Sequence, residues 1–117
     1  FRRVLFRSFS LLYSAKAGSR ARLAPCYDLL STAHYPGLAS KMAMKIGGEY
    51  HAERLYRRHF VDLAQEIGFG EALLLRRIHK IATEIPKHLA EMTLDSATCI
   101  SVAETICSRC ERILTRL

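Results

Sequence analysis

The sequence lacks any apolar run long enough to cross a membrane. Short runs such as Ala72–Leu75 fall far short of the roughly 20 residues that a spanning helix needs, and charged residues interrupt every longer window. We therefore expect no transmembrane helix. With 117 residues, 50% hydrophobic and 25% charged, the composition is typical of a soluble globular domain with one core.

The chain also lacks an initiator methionine. It begins at Phe1, and the basic residues that follow surround an apolar stretch too short for a targeting signal. The simpler interpretation is that the sequence is a fragment whose upstream part is missing.

Neither a secretory signal nor a paired metal-binding motif accompanies the cysteines, which are Cys26, Cys99, Cys107 and Cys110. Reduced thiols in the cytoplasm are therefore expected. Cys107 and Cys110 form a C-x-x-C that could bind zinc or exchange electrons. Because both also fall on the apolar stripe of the last predicted helix, and no second C-x-x-C or H-x-x-x-H follows, we interpret them as core residues.

The formal charge is +7, and three of these charges are Arg2, Arg3 and Arg7, without which it would be +4. The remaining cations spread along predicted helical faces, which usually indicates solvated surface, although contact with DNA stays an alternative. The residues concerned are Arg54, Arg57, Arg58, Arg76, Arg77 and Lys80.

The order of apolar runs and turn residues predicts a mainly α chain with a β-hairpin at its N-terminal end. We expect the hairpin over 9–24, ended by Pro25, which cannot donate to a strand ladder. The segment 25–32 follows, then a loop over 33–56 with a short extended piece, then helices over 57–117.

The helical region divides into three. Gly68 is expected to end the first helix, Pro86 to kink or split the second, and Asp95 or Ser96 to cap the third. The predicted apolar stripe of the second helix comprises Leu74, Ile78, Ile81, Ile85, Leu89 and Met92. The stripe of the third comprises Ile100, Ala103, Ile106 or Cys107, Cys110, Ile113 and Leu117.

The histidines are scattered, and none is paired with a cysteine or carboxylate at a spacing typical of metal sites. His59 and Asp62 could share a helix face, an arrangement common as local surface electrostatics. We interpret the histidines as surface or half-buried residues.

Asp28 stands out because it follows a strand end within an otherwise apolar stretch, beside Tyr27. An acid in that position needs a partner. It could cap the following turn or helix through Ser31 and Thr32, or it could have a role at a metal or phosphate site. The residues alone leave both interpretations open.

The segment Leu23–Thr32 resembles the L-x-P-x-Y-D-[LI]-[LI]-S segment of HipA-like serine/threonine protein kinases, the toxins of type II toxin–antitoxin modules. Residues 9–12, 41–48 and 58–60 are similar to the family in the corresponding regions. The resemblance implies the C-terminal helical lobe of a protein-kinase-like fold with an N-terminal β-hairpin.

The same resemblance implies roles for Tyr27 and Asp28. Asp28 is similar in position to the D-F-G aspartate of other kinases, which holds the Mg²⁺ that bridges the ATP phosphates. Tyr27 would line the nucleotide site. ATP and Mg²⁺ are the implied cofactors, and the implied partners are a protein substrate and a small HipB-like DNA-binding antitoxin, through which DNA could also be reached.

The chain departs from the family before Phe9, where the family's catalytic loop reads D-x-H-x-K-N. The four named places hold Arg3, Leu5, Arg7 and Ser8. Since arginine cannot act as a base and serine is a poor substitute for an asparagine at Mg²⁺, the fragment itself should be inactive. The alternative function is a non-catalytic helical module that binds a protein partner or DNA.

We predict that residues 1–8 are not native. The codons AGA CGT GTG CTC TTC CGA TCT, which look like a short-read sequencing adapter, encode Arg2–Ser8. Sequencing the gene across this junction from its source DNA should replace them with a catalytic loop that carries an aspartate and an asparagine. Finding the same arginine-rich codons in the genome would contradict the prediction.

Overall fold

The computed structural model describes residues 8–13, 20–27, 31–38 and 40–117, which fall into two compact units, 1–31 and 32–117. In the first unit, β1 (Leu11–Leu12) pairs antiparallel with β2 (Arg22–Leu23). This pairing confirms the predicted hairpin. The expected turn at its tip, 15–19, lies outside the described residues.

The second unit contains a second strand pair and three helices. The sequence predicts 33–56 as a loop with a short extended piece, and that piece is a six-residue strand with a partner of its own. In chain order the elements are a 3-10 helix (Thr32–His34), β3 (Lys41–Ile46), β4 (Glu49–His51), a 3-10 helix (Ala52–Arg54), α1 (Arg57–Glu66), α2 (Glu71–Glu91) and α3 (Ala97–Arg116). The mainly α fold class is thus confirmed.

The β3–β4 turn is formed by Gly47 and Gly48, which have φ angles of +52° and +85°. Two positive φ angles in a two-residue hairpin loop favour glycine at both positions. After the turn, the carboxylate of Glu49 accepts a hydrogen bond from the backbone N–H of His51 at 2.8 Å, which lowers the pKa of Glu49. The hairpin is therefore held both by its glycines and by a local side-chain bond.

Gly47 also lies against the backbone of α1. A Cβ atom added to it would be 2.6 Å from the Cα of His59 and in still closer contact with that residue's carbonyl oxygen. Real Cβ atoms do not approach backbone this closely, so a side chain at Gly47 would force the hairpin away from the helix. Among the described residues, no atom lies within 4 Å of a Cβ placed on Gly48.

The hydrophobic core of the second unit is formed where this hairpin meets the first two helices. Leu55, Phe60 and Leu75 are buried at its centre. Each such side chain contributes about 1.5–3 kcal/mol when removed from water. The partly buried apolar residues packed around this centre are Met42, Ile46, Val61, Ile78 and Leu117.

The ends of the helices follow predicted signals. Gly68 adopts a φ of +65° just past α1, and the N–H of Phe69 returns to the carbonyl of Ala64 at 2.8 Å. Ser96 caps α3 through its side-chain oxygen, which accepts from the N–H of Cys99 at 3.1 Å. Both boundaries are therefore set by local chemistry. Pro86 lies inside α2 without splitting it.

The predicted apolar stripe of α2 is partly wrong. Ile81 and Met92 are 57% and 59% exposed, whereas Leu75 and Ala82 are buried. α2 packs along α3, and each helix buries an alanine, Ala82 in α2 and Ala103 in α3. Small side chains allow packed helices to approach closely. Hydrophobic pattern alone undervalues an alanine in such a contact.

Among the described residues, none of the helices combines the length and apolarity required to traverse a bilayer.

We expect Gly47→Ala to destabilise the chain by about 2–4 kcal/mol, since the substitution adds a backbone clash to an unfavourable φ. Gly48→Ala is the matched control, with a positive φ but open space, and should cost only about 1 kcal/mol. Urea unfolding followed by circular dichroism measures both. An equal decrease in the free energy of unfolding for the two variants would show that the close approach of Gly47 to α1 does not contribute to stability.

Candidate functional site

Tyr27 is held against the strand that leads into β1. Its backbone N–H donates to the carbonyl of Ser8 at 3.4 Å, and its hydroxyl is 2.9 Å from the hydroxyl oxygen of Ser10. The N–H of Ala24 donates to the carbonyl of Ser10 at 2.8 Å, so pairing continues beyond the last residue of β2. The chain immediately before Asp28 is thereby fixed on both main chain and side chain.

Asp28, the predicted metal ligand, lies outside the described residues, together with Leu29 and Leu30. The structure describes the residues that immediately precede it, and among them the side chain of Tyr27 is 49% exposed. One carboxylate from this chain suits Mg²⁺, which keeps several waters and takes one or two carboxylates in nucleotide sites. The donor set present is therefore compatible with a share of a magnesium site.

A cavity of 240 Å³ lies in the second unit, among residues that sequence reasoning did not bring together. The first 3-10 helix supplies Thr32, β3 supplies Lys41 and α3 supplies Arg109. The hydroxyls of Tyr35 and Ser40 add further polar groups. Since these residues come from both ends of the unit, only the tertiary fold assembles the cavity, and the sequence carries no spacing signal for it.

In the same unit, a hydrogen bond joins the first 3-10 helix to α3. Nδ1 of His34, in the first 3-10 helix, is 3.3 Å from the hydroxyl oxygen of Ser101 in α3. Both residues are partly buried. The bond helps hold the segment that supplies Thr32 against the helix that supplies Arg109.

His59 is buried at 8% exposure, which corrects the prediction of a surface or half-buried residue. Its Nδ1 accepts from the N–H of Tyr56 at 3.0 Å and so satisfies a backbone donor at the start of α1. Nε of Arg58 also lies 3.4 Å from Nε2 of His59. We assign His59 a capping role.

The C-x-x-C pair is divided between burial states. Cys110 is buried on α3, Cys107 is partly buried, and Cys26 and Cys99 are exposed. Burial raises the pKa of the Cys110 thiol, with a smaller effect from Cys107. Within the described part of the chain, no group of three or more potential ligands is arranged to hold a metal ion.

Comparison with protein families relates this arrangement to a known domain. Residues 6–89 match the family model of the HipA-like C-terminal domain. The matched range includes the Tyr27–Asp28 pair, β3 and most of α2.

Two curated proteins are similar in sequence. The protein named "Putative kinase Y4mE" of Sinorhizobium fredii is 31% identical over 114 residues, which cover 92% of this chain and 26% of that protein. The protein named serine/threonine-protein kinase toxin HipA of Shewanella oneidensis is 30% identical over 98 residues, covering 77% of this chain and 23% of the toxin. The chain thus spans about a quarter of the length of the curated relatives it matches.

A solved structure shares the fold. It is described as the HipA, HipB and operator DNA complex of the Shewanella oneidensis MR-1 toxin–antitoxin system. Its similarity to this chain has a TM-score of 0.72 and 25% sequence identity, and covers 92% of this chain and 26% of the other.

We predict that Cys110 reacts with iodoacetamide at least about tenfold more slowly than Cys99, because burial limits access and the raised pKa reduces the thiolate fraction at neutral pH. Peptide mass spectrometry after timed alkylation measures the two rates. Urea should abolish the difference. Equal rates in the folded chain would contradict the core role of Cys110.

Proposed function

We propose, from the premise that this chain belongs to the family of HipA-like C-terminal domains, that its parent protein is an ATP- and Mg²⁺-dependent serine/threonine kinase. The parent would act as the toxin of a toxin–antitoxin module. The observation that carries the proposal is the segment Leu23–Thr32, which begins at the last residue of β2 and lies inside the family match. The names of the two relatives, a putative kinase and a kinase toxin, support the same activity.

In this proposal Asp28 holds Mg²⁺ and Tyr27 lines the nucleotide site. The bound ion would neutralise charge on the ATP phosphates as the phosphoryl group transfers. A ligand in that role must be fixed in position, and two backbone bonds and a side-chain bond connect residues 24–27 to residues 8–10. The contacts of Tyr27 with Ser8 and Ser10 support a rigid approach to Asp28.

The chain by itself supplies only part of this chemistry. At the places where the resemblance puts the base and the second magnesium ligand, it carries Arg3 and Ser8. Arg3 cannot accept a substrate proton, because a guanidinium stays protonated in proteins. We therefore propose that the fragment is inactive and that residues 9–117 are the native part of the kinase lobe.

The proposed partners follow from the same family. They are a protein that carries the phosphorylated serine or threonine, and a HipB-like antitoxin that binds DNA. The related solved structure is described as containing HipA, HipB and operator DNA, which supports antitoxin and DNA as partners of the parent protein.

A non-catalytic module that binds protein or DNA through its basic faces is the alternative. Some of the predicted basic residues are engaged within the chain. Arg57 pairs with Glu71 at 3.2 Å and also donates to the carbonyl of Leu117, while the guanidinium of Arg58 lies 5.8 Å from the centre of the Tyr56 ring. These contacts give the cations structural roles and weaken the alternative.

The experiment uses the full-length kinase with its native upstream sequence restored. Asp28→Asn should lower autophosphorylation at least about a hundredfold, since it removes a charge that fixes the metal while keeping the side-chain size. Asp62→Asn is the matched control, because Asp62 is an exposed acid on α1. Rates with radiolabelled ATP measure both variants.

Two outcomes would oppose the proposal. Unaltered activity of Asp28→Asn would remove Asp28 from the mechanism, whatever the rest of the protein does. A restored full-length protein that neither autophosphorylates nor hydrolyses ATP would favour the binding module.

A further inference from the structure

We propose that the cavity between the first 3-10 helix, β3 and α3 binds a phosphate group, with Lys41 and Arg109 as its cationic ligands. Both residues line the same 240 Å³ space. They come from distant parts of the sequence, and the fold of the second unit brings them to this space.

Among the described residues, no acidic side chain forms an ion pair with Lys41 or Arg109. The ion pairs found in the described part of the chain join Arg57 to Glu71, Lys87 to Glu84 and, when the histidine is protonated, His88 to Glu91. Neither cavity cation belongs to any of these pairs. Two cations that face one space repel each other, and an anion between them relieves that repulsion.

Among the described residues that line the cavity, Glu53 is the acid, and it bears on the charge of the ligand that the cavity favours. Its carbonyl oxygen accepts a hydrogen bond from Arg116, and its exposed carboxylate takes part in none of the ion pairs described above. Among the described residues that line the cavity, two cations, Lys41 and Arg109, are opposed by one acid, Glu53, which gives a net charge of +1. An anion is therefore favoured over a cation.

The types of hydrogen-bond donor carried by the lining residues favour phosphate over a carboxylate as the ligand. A guanidinium offers paired N–H donors to oxygen atoms of phosphate, and an ammonium offers a compact point charge. Thr32, Tyr35 and Ser40, whose side chains carry hydroxyl donors, line the same space. A tetrahedral anion directs oxygen atoms towards several walls at once, whereas a planar carboxylate has two oxygens in one plane.

The size of the cavity leaves room for more than the anion. One water needs only about 10–15 Å³ of such space, so the 240 Å³ cavity has room for a phosphate group and additional atoms. Leu38 and Met42 add apolar wall beside the cations. The same chemistry would accept inorganic phosphate or the side chain of a phosphorylated serine.

The test titrates the 15N-labelled 117-residue chain at constant ionic strength and follows amide shifts by NMR. The probes are inorganic phosphate, phosphoserine, serine and acetate. Phosphate should shift the amides of Lys41 and Arg109 at lower concentration than acetate. Tighter binding of phosphoserine than of phosphate assigns a phosphorylated side chain as the source, and equal affinity assigns the free anion.

Charge variants give an expected pattern of signs. Lys41→Gln and Arg109→Gln should each weaken phosphate binding about fivefold, and Glu53→Gln should strengthen it about threefold, magnitudes typical of partly exposed charges. Lys45→Gln is the matched control, because it removes the same charge from the same strand outside the cavity. It should change affinity less than about twofold.

Several results would overturn the proposal. Equal affinity for acetate and phosphate, equal loss in Lys45→Gln and Lys41→Gln, or weaker binding in Glu53→Gln would each do so. These titrations contain neither Mg²⁺ nor ATP, so their result is independent of the kinase proposal. Because all the substituted side chains at 41, 45, 53 and 109 are exposed, the variants should keep the fold, which circular dichroism checks.

Discussion

The contact between Gly47 and the backbone of His59 is the constraint on which the second unit depends. It places the β3–β4 turn directly on the first turn of α1, at a separation that only a glycine permits. His59 in turn bonds the N–H of Tyr56, and Leu55, one residue earlier, is in the centre of the core. Hairpin, helix start and core are thus joined within a few residues of chain, and a shift of one moves the others.

The end of α3 is fixed to the same region by a second group of contacts. The guanidinium of Arg116 lies 4.5 Å from the centre of the Tyr56 ring and donates to the carbonyls of Glu53 and Leu55. Because Arg109 is about two helical turns before Arg116, fixing the helix end also fixes where that side chain can reach. The cavity therefore depends on contacts that lie outside it.

Most of the secondary structure was accessible from local patterns, because it follows from local chemistry. The Gly68 and Ser96 boundaries are determined by backbone conformation and capping. The strand pair was harder, since Gly47 and Gly48 signal a hairpin only when both are assigned positive φ. The buried face of α2 could not be predicted from local pattern, because the burial of an alanine such as Ala82 depends on tertiary packing and not on a strong hydrophobic signal of its own.

The two proposed sites also differ in how far the sequence alone reveals them, and they would bind ligands of opposite charge. Tyr27 and Asp28 are adjacent in sequence, so a short motif could reveal them, whereas Lys41 and Arg109 meet only after folding. Asp28 would attract a cation and the cavity an anion. Lys41 and Arg109 are cations and cannot act as the base in phosphoryl transfer, and the role proposed for Asp28 is that of a metal ligand. The chemistry proposed for these residues is therefore binding and positioning, and the proposed kinase reaction would need its base from another part of the parent protein.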